Sequence, residues 1–542
     1  MKAITFDQAK RIDAFTIEEG IPERILMGQA AQSAFTTLQH LGLVNSQSFY
    51  VFLCGSGNNG GDGIALAYLL LSSNSLSNEQ IWVYLNEPIK SETALFYYQH
   101  LKKQLPNIFP LDSFLSLTFS EIVSKLLSFP QVKRVLFIEA LLGTGQKDQP
   151  KQPYDRILSH LNQMINSLQK QIETKCVALD VPAGLSEEYK DFHEDAFLSL
   201  FGYPVPDVVL NFGPKKLCLA IHPLLVSRSQ VFSLPIGFSP QAQKNVLLES
   251  PRFTEWEIQS DFSFFLKKPE DHKYTAGYGW LIAGSQNMEG AGILSAKAFF
   301  SSGGGILHWL HLTNQRELLL HKEPAIIYTH FFEWEKHLPT SKRPSAIAIG
   351  PGVSKNDLLE NKKNFINFLK YFSQNPPFPF IILDAFATQL VLENDYPEEL
   401  RPFTIITPHL GEWRAMGGAF PYLVGNWKRI IEFHKKLKVS ILIKGGISFF
   451  LVSVHWTNEE SLVFIWNHPN PNLAVAGSGD LLVGILLSYF SKTPKENPLT
   501  SLLGVQKVLS LHTVSSKFHA TPTEQLKQLK RTLFEFWKNN SK

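Results

Sequence analysis

The hydrophobic and polar positions of this 542-residue chain change their spacing as the chain proceeds. Residues 1 to about 45 carry Ile4, Ala9, Ile12, Ile17, Ile25, Ala30 and Phe35 at loosely helical intervals, broken near Gly20 and Pro22. Short apolar runs follow at 48–54, 135–138 and 176–179, and two further probable strands at 207–211 and 230–234. After a lapse between 239 and 270, such runs return at 279–283, 345–349, 380–383, 404–407 and 439–443. Apolar runs without polar alternation predict parallel strands buried on both faces by helices. The expectation is therefore an α/β chain of two three-layer domains, residues 1–240 and 250–542, the second with about eight strands.

The candidate chemistry sits where these runs end. The run at 48–54 leads into Gly55-Ser56-Gly57-Asn58-Asn59-Gly60-Gly61-Asp62-Gly63 and then an apolar helix at 64–71. Strand, glycine-rich turn and helix make a phosphate or nucleotide cradle, although the spacing is neither a dinucleotide fingerprint nor a Walker loop. The next two runs end in Glu139, followed by Gly143-Thr144-Gly145, and in Asp180-Val181-Pro182-Ala183-Gly184. Ligands of open α/β sheets bind beyond the carboxyl ends of strands, so Asp62, Glu139 and Asp180 are expected to share a pocket. Each acid is equally compatible with a turn or helix-cap role.

In the second half the strand ends are Ala283-Gly284-Ser285, Gly350-Pro351-Gly352, Asp384-Ala385, Thr407-Pro408-His409-Leu410-Gly411-Glu412 and Lys444-Gly445-Gly446-Ile447-Ser448. A lysine at such an end can meet a phosphate, and paired glycines let the backbone approach a nucleotide. The small-residue segment 288–298 predicts a helix packed tightly on the sheet or a ligand. Gly477-Ser478-Gly479-Asp480 then precedes an uncharged apolar helix at 481–489. The free N–H groups at such a helix start favour an anion. Repulsion and partial desolvation raise the pKa of an acid placed there, which suits Asp480 as a general base facing a phosphate. The plain reading of the same residues is an Asp N-cap after a glycine turn.

Composition narrows the classes. A formal net charge of +3 and 18% charged residues give no footprint for nucleic acid or a membrane surface. Three cysteines (Cys54, Cys176, Cys218) form no zinc spacing and fit a reducing compartment. The first seven residues lack the apolar core of a signal peptide, and no run approaches the roughly 18 apolar residues of a membrane span. A cytoplasmic location without nucleic-acid or membrane partners is expected. No histidine and carboxylate spacing predicts a protein metal site, and His308-Trp309-Leu310-His311 reads as a strand.

Taken in order, these motifs resemble the bifunctional NAD(P)H-hydrate repair enzymes, over nearly the whole chain. The first half is similar to NAD(P)H-hydrate epimerases through Asn58 to Gly63, Leu141 to Gly145 and Asp180-Val181-Pro182. The second is similar to ADP- or ATP-dependent NAD(P)H-hydrate dehydratases through His272-Lys273-Tyr274, Ala283-Gly284-Ser285, Gly350-Pro351-Gly352, Thr407-Pro408-His409, Lys444-Gly445 and Gly477-Ser478-Gly479-Asp480. The resemblance implies a Rossmann-like first domain that interconverts R and S hydrates. It implies a ribokinase-like second domain that dehydrates the S form with ADP or ATP and Mg²⁺. The substrates would be NADHX and NADPHX, and the assembly a homo-oligomer.

Residue by residue, the resemblance implies hydrate contacts from Asn58, Asn59, Gly60, Gly61, Asp62, Gly143, Thr144 and Gly145 in the first half, with Asp180 for acid–base work or for holding the damaged ring. In the second half it implies Ala291, Gly352, His409 and Asp480 at the hydrate, Asp480 being the base. The nucleotide would lie on Lys444, Gly445, Gly446, Ile447, Ser448 and Gly479. A potassium site would use Asn59, Glu139 and Ala183, where the family has Asp and Ser at the last two positions. Gly28-Gln29 replaces a pattern with Glu and Asn, Phe386 replaces an acid, and Leu410 a proline. The alternative is a ribokinase-like small-molecule kinase with a non-catalytic N-terminal ligand-binding domain.

Overall fold

Every side chain of Ser48–Cys54 is buried. Tyr50, Phe52 and Cys54 enter one hydrophobic core, and Phe49, Val51 and Leu53 enter another on the opposite face. This period of two is what a strand covered by helices on both sides requires. The computed structural model describes all residues except 74–75, 315–322, 324, 338–342, 375, 494–495 and 541–542. The chain divides into one unit of Met1–Phe253 with Tyr422–Gly425, and another of Thr254–Pro421 with Asn426–Lys542.

The strands of the first unit are β1 (Lys2–Ile4), β2 (Ser48–Cys54), β3 (Ile81–Leu85), β4 (Ile108–Pro110), β5 (Arg134–Ala140), β6 (Glu173–Leu179), β7 (Val208–Phe212), β8 (Lys215–Lys216) and β9 (Gln230–Leu234). Seven form a sheet in the order β4-β3-β2-β5-β6-β7-β9, parallel throughout. This is a doubly wound, Rossmann-like sheet whose direction of growth reverses between β2 and β5. β1 pairs in parallel with β8.

The glycine-rich stretch after β2 is not the open turn that the sequence predicts. Helix Asn58–Ser72 already begins at Asn58. A Cβ on Gly60 would lie 1.8 Å from Gly55 O, so this glycine serves a close approach of helix and strand end. Gly61 is likewise packed, against Met27 and Ala94.

Strand β10 (Arg252–Glu255) spans the boundary between the units. The second unit then has β11 (Tyr278–Ala283), β12 (Ile306–His311), β13 (Ile327–His330), β14 (Ala346–Ile349), β15 (Phe380–Leu383), β16 (Thr404–Ile406), β17 (Ser440–Ile443), β18 (Ser448–Leu451) and β19 (Leu462–Trp466). Their order is β13-β12-β11-β14-β15-β16-β17-β18-β19. Pairing is parallel as far as β17, and β18 and β19 are antiparallel. The direction of growth reverses between β11 and β14.

Helices Glu289–Ser301 and Ser478–Lys492 pack backbone to backbone. A Cβ on Gly484 would lie 2.2 Å from Ser295 O, and the Ser295 hydroxyl donates to Asp480 O at 2.8 Å. The small residues pack on the sheet as expected, a Cβ on Gly292 falling 2.1 Å from Trp309 of β12, and they also join two helices. Among the described residues no helix is long and apolar enough to cross a membrane.

Gly484→Ala should overpack this seam and cost about 1–3 kcal/mol, read as an earlier thermal unfolding transition of the second unit. An unchanged transition would show that the helices separate freely.

Candidate functional sites

In the first unit a cavity of about 920 Å³ opens where β2 and β5 end. Asn58, Asn59 and Asp62 line it from the first turns of their helix, Gly143, Thr144 and Gly145 from the segment after β5, and Asp180 from the end of β6. Gly60 and Gly61, expected at the ligand, are buried in the packing described above.

Asp180 holds a left-handed backbone with φ 59°. Its Oδ1 accepts from Lys216 Nζ at 2.5 Å and from Phe212 N at 3.3 Å, and Lys216 Nζ also donates to Phe212 O. Lys216 is buried, and Asp13 and Glu23 line the same cavity. Glu23 accepts from Asn58 Nδ2 at 2.6 Å. Asp148 is a fifth carboxylate in the lining, and of the six lysines there only Lys216 is buried. Burial first, then the charges of Asp180 and Asp13, push the Asp62 carboxyl well above the usual carboxylate range. Burial likewise pushes Asp13 up to about 6, with Lys216 opposing and Asp180 and Glu23 adding to it. Sequence reasoning finds Asp62 and Asp180 but misses Asp13, Glu23 and Lys216. The only signal for Lys216 is the basic turn Gly213-Pro214-Lys215-Lys216.

Of the three expected potassium ligands, Asn59 keeps a buried Oδ1 without a hydrogen-bond partner, while its Nδ2 donates to Leu142 O at 3.0 Å. Buried Glu139 uses Oε1 to accept from Leu141 N at 2.8 Å and Oε2 to accept from Ala183 N at 2.9 Å. Burial pushes Glu139 up to about 7 against the pull of these N–H groups. The extra methylene of Glu thus carries its carboxyl onto backbone donors, and Ala183 brings no oxygen side chain. The three positions together do not make a potassium set. Among the described residues no group of three or more His, Cys, Asp or Glu side chains is placed to hold a metal ion.

In the second unit Gly477 caps the Ser478–Lys492 helix with φ 96°, a conformation suited to glycine. Asp480 sits in the first turn. Burial, then the charge of Asp384, push Asp480 up to about 6, and Lys444 opposes them. Lys444 Nζ donates to Asp384 Oδ1 at 2.5 Å, and the Thr407 hydroxyl donates to the same oxygen at 2.6 Å. A Cβ on Gly479 would lie 3.5 Å from Lys444 Nζ, so the helix start and the end of β17 meet. A Cβ on Gly352 would lie 2.9 Å from Ala291 Cβ, so these two predicted hydrate contacts also meet, at the switch between β11 and β14. Gly445 and Gly446 are exposed, Ile447 is buried, and Ser448 Oγ accepts from Gly445 N at 3.2 Å.

His409 lies beside Lys444 through a parallel bridge, but its ring caps helix Leu410–Ala415. Nδ1 accepts from Gly411 N and Glu412 N, and Nε2 is 3.2 Å from Glu412 Oε1. Two residues outside the sequence prediction complete the surroundings. Asp384, noted only as a strand-end acid, holds Lys444. His512, on helix Val505–Ser516, bonds to the backbone of Ser478, and burial pushes its imidazole down to about 4.

Both halves match protein-family models. Residues 23–218 match the family described as YjeF-related protein N-terminus, and residues 280–518 match NAD(P)H-hydrate dehydratase. The two matched families, in this order on one chain, define a two-unit α/β enzyme of nicotinamide-cofactor repair. The bifunctional NAD(P)H-hydrate repair enzyme Nnr of Thermofilum pendens is 25% identical over 504 residues, covering 90% of this chain and 87% of that protein. The enzyme of the same name from Escherichia coli is 24% identical, covering 84% of this chain and 77% of that protein. A solved structure similar to the second half is the ADP/ATP-dependent NAD(P)H-hydrate dehydratase of Bacillus subtilis, co-crystallised with ATP and Mg²⁺. It is 25% identical, covers 50% of this chain and 94% of that chain, and has a TM-score of 0.39. The chain belongs to the family of bifunctional NAD(P)H-hydrate repair enzymes.

The crowded acids of the first unit have a stability consequence. Asp13 titrates at about 6 when folded, above the ordinary carboxylate value, so it favours the folded state only at low pH. That stability is lost as pH rises from about 4 to 6 and stays lost above. Asp13→Asn should therefore stabilise the first unit by on the order of 1 kcal/mol at pH 7.5 and change little at pH 4. Thermal unfolding at the two pH values checks this, and destabilisation at pH 7.5 would contradict it.

Proposed function

We propose that residues 1–240 interconvert the R and S hydrates of NADH and NADPH, and that residues 250–542 use ADP or ATP to return the S hydrate to NAD(P)H. The observation that carries the second assignment is the meeting of Asp480, Gly479, Lys444 and Asp384 at one helix start.

Hydroxide is a poor leaving group and phosphate a good one. In the proposed reaction Asp480 accepts the proton of the hydrate hydroxyl as that oxygen attacks the terminal phosphoryl group. Backbone N–H groups around Gly479 and the Lys444 ammonium face the developing negative charge. Phosphate then leaves with the C–O electron pair, and the neighbouring ring carbon releases a proton to restore the double bond. Asp384 and Asp480 together exceed the charge of Lys444, so the site favours a nucleotide that arrives with additional positive charge. Mg²⁺ supplies that charge when bound with the nucleotide.

Ala291 and Gly352 support a hydrate site at the switch point, and exposed Gly445 and Gly446 support a nucleotide site with room for phosphates. ADP is the co-substrate we propose first, in keeping with fusion of the two activities. In the first unit Asp180, fixed by Lys216, is better suited to holding the damaged ring by its charge than to carrying protons. No step is assigned to potassium.

The test uses purified protein, Mg²⁺ and mixed R and S NADH hydrates, following the absorbance of restored NADH with ADP or ATP. Complete recovery requires both activities. Recovery that stops when the S form is exhausted would remove the epimerase assignment, and a stable phosphorylated product would favour a kinase. Asp480→Asn should slow dehydration by at least about 100-fold and leave epimerisation intact. A base must be ionised to accept a proton, so wild-type kcat/KM for dehydration should fall as pH drops below about 6. A profile flat from pH 5 to 8 would exclude Asp480 as the base.

A further inference from the structure

The charge balance of the first unit's cavity bears on how the hydrate is inverted, an inference that rests on the epimerase reading. Hydration of a dihydronicotinamide adds a proton to one ring carbon and a hydroxyl to the carbon bonded to the ring nitrogen. Inverting that second carbon requires one of its bonds to break. If the C–N bond breaks, the ring opens to an aldehyde that keeps the original oxygen. If the C–O bond breaks, the nitrogen lone pair expels the oxygen and leaves a planar C=N⁺ iminium, which water can attack from either face.

The cavity suits the cation. Asp13, Glu23 and Asp180 line it beside Asp62, the proton donor of the step below, and the buried ammonium group, Lys216, is paired with Asp180. Asp148 and the exposed Lys10, Lys90, Lys147, Lys151 and Lys190 also line it, but the charges that act on Asp62 are those of Asp180, Asp13, Glu23 and Lys216. Asn59 also lines it, is 8% exposed, and holds its Oδ1 without a hydrogen-bond partner, a further electron-rich atom turned to no protein donor. Preorganised negative charge of this kind lowers the energy of a cation that forms beside it and gains little from a neutral open ring.

We propose that the first unit inverts the hydrate by loss and re-addition of water through a ring iminium cation, with Asp62 and Asp13 as the two proton carriers. Asp62, in its acid form, gives its proton to the hydroxyl. The C–O bond breaks, its electron pair leaves with the oxygen as water, and the nitrogen lone pair forms the C=N⁺ bond. A second water forms the new C–O bond on the opposite face, the C=N⁺ electrons return to nitrogen, and the surplus proton passes to the Asp13 carboxylate. The two acids then hold exchanged protonation states, which solvent resets or the reverse reaction uses. Burial and like charge shift Asp62 toward its acid form, while Asp13, pushed up to about 6, is mostly ionised at neutral pH, as the two roles require.

The test is isotopic and uses the wild-type full chain. The R hydrate of NADH is incubated without nucleotide in ¹⁸O-labelled water, and the mass of newly formed S hydrate is followed, with spontaneous exchange measured in parallel. The expected result is one ¹⁸O in essentially every inverted molecule. Inverted hydrate that keeps its original oxygen would overturn the mechanism while leaving the epimerase reading intact. Absence of any inversion would instead overturn that reading. Asp62→Asn and Asp13→Asn should each slow inversion by at least about 100-fold with KM changed less than threefold, and wild-type rates in both would remove the proton-carrier assignment. The isotope result depends on neither variant.

Discussion

In each half of this protein one ammonium group faces more carboxylates than it can neutralise. Lys216 is bound by Asp180 at the end of β6, and Lys444 by Asp384 at the end of β15, both at 2.5 Å. In each case a strand-end aspartate fixes the lysine, and the remaining acids must share what is left of its field. Among the acids left over, Asp62 and Asp13 in one unit and Asp480 in the other are held above the usual carboxylate range. Removing either lysine would leave buried negative charge unpaired, which is costly in a protein interior. The sheet, the helix starts and the glycine contacts serve to bring these groups to one end of the strands.

The parts of the fold that are local in sequence were legible. β9 and β15 coincide with their apolar runs, and the buried helix after Gly477 appears where the uncharged stretch predicts it. Strands β3, β4, β13, β18 and β19 escape the reading because no acid–glycine turn marks their ends, and some are only three or four residues long. The glycine-rich stretch after β2 lies mostly inside the helix that begins at Asn58, not in an open turn. Glycine signals both open turns and close packing, and only the neighbour of Gly60 decides between them.

The sites were legible in proportion to how local they are. Asp480, Lys444 and Gly352 stand at strand and helix ends that the sequence marks, and the fold brings Gly479 to Lys444 and Gly352 to Ala291. Asp13 and Lys216 lie far apart in sequence and enter the same cavity only through the fold, so neither spacing nor composition points to them. Asp384 was visible as a strand-end acid, but its grip on Lys444 needs a contact 60 residues along the chain. Glu139 shows the opposite effect. The substitution is visible in the sequence, whereas its outcome, capture by the Leu141 and Ala183 N–H groups, is a matter of side-chain reach.

The seam between helices Glu289–Ser301 and Ser478–Lys492 has one more consequence. It ties Asp480 through Ser295 to the helix that carries Ala291, so the proposed base and the proposed hydrate contact are parts of one stiff body. On the other side, Gly446 has nothing within 4 Å of where a Cβ would stand. The helix side resembles a die and the Gly446 side an unfilled margin. Under the proposed reaction such an arrangement would discriminate closely among rings and loosely among phosphate tails, so an enzyme built on it could change its phosphoryl donor over generations while its damaged substrate stays the same.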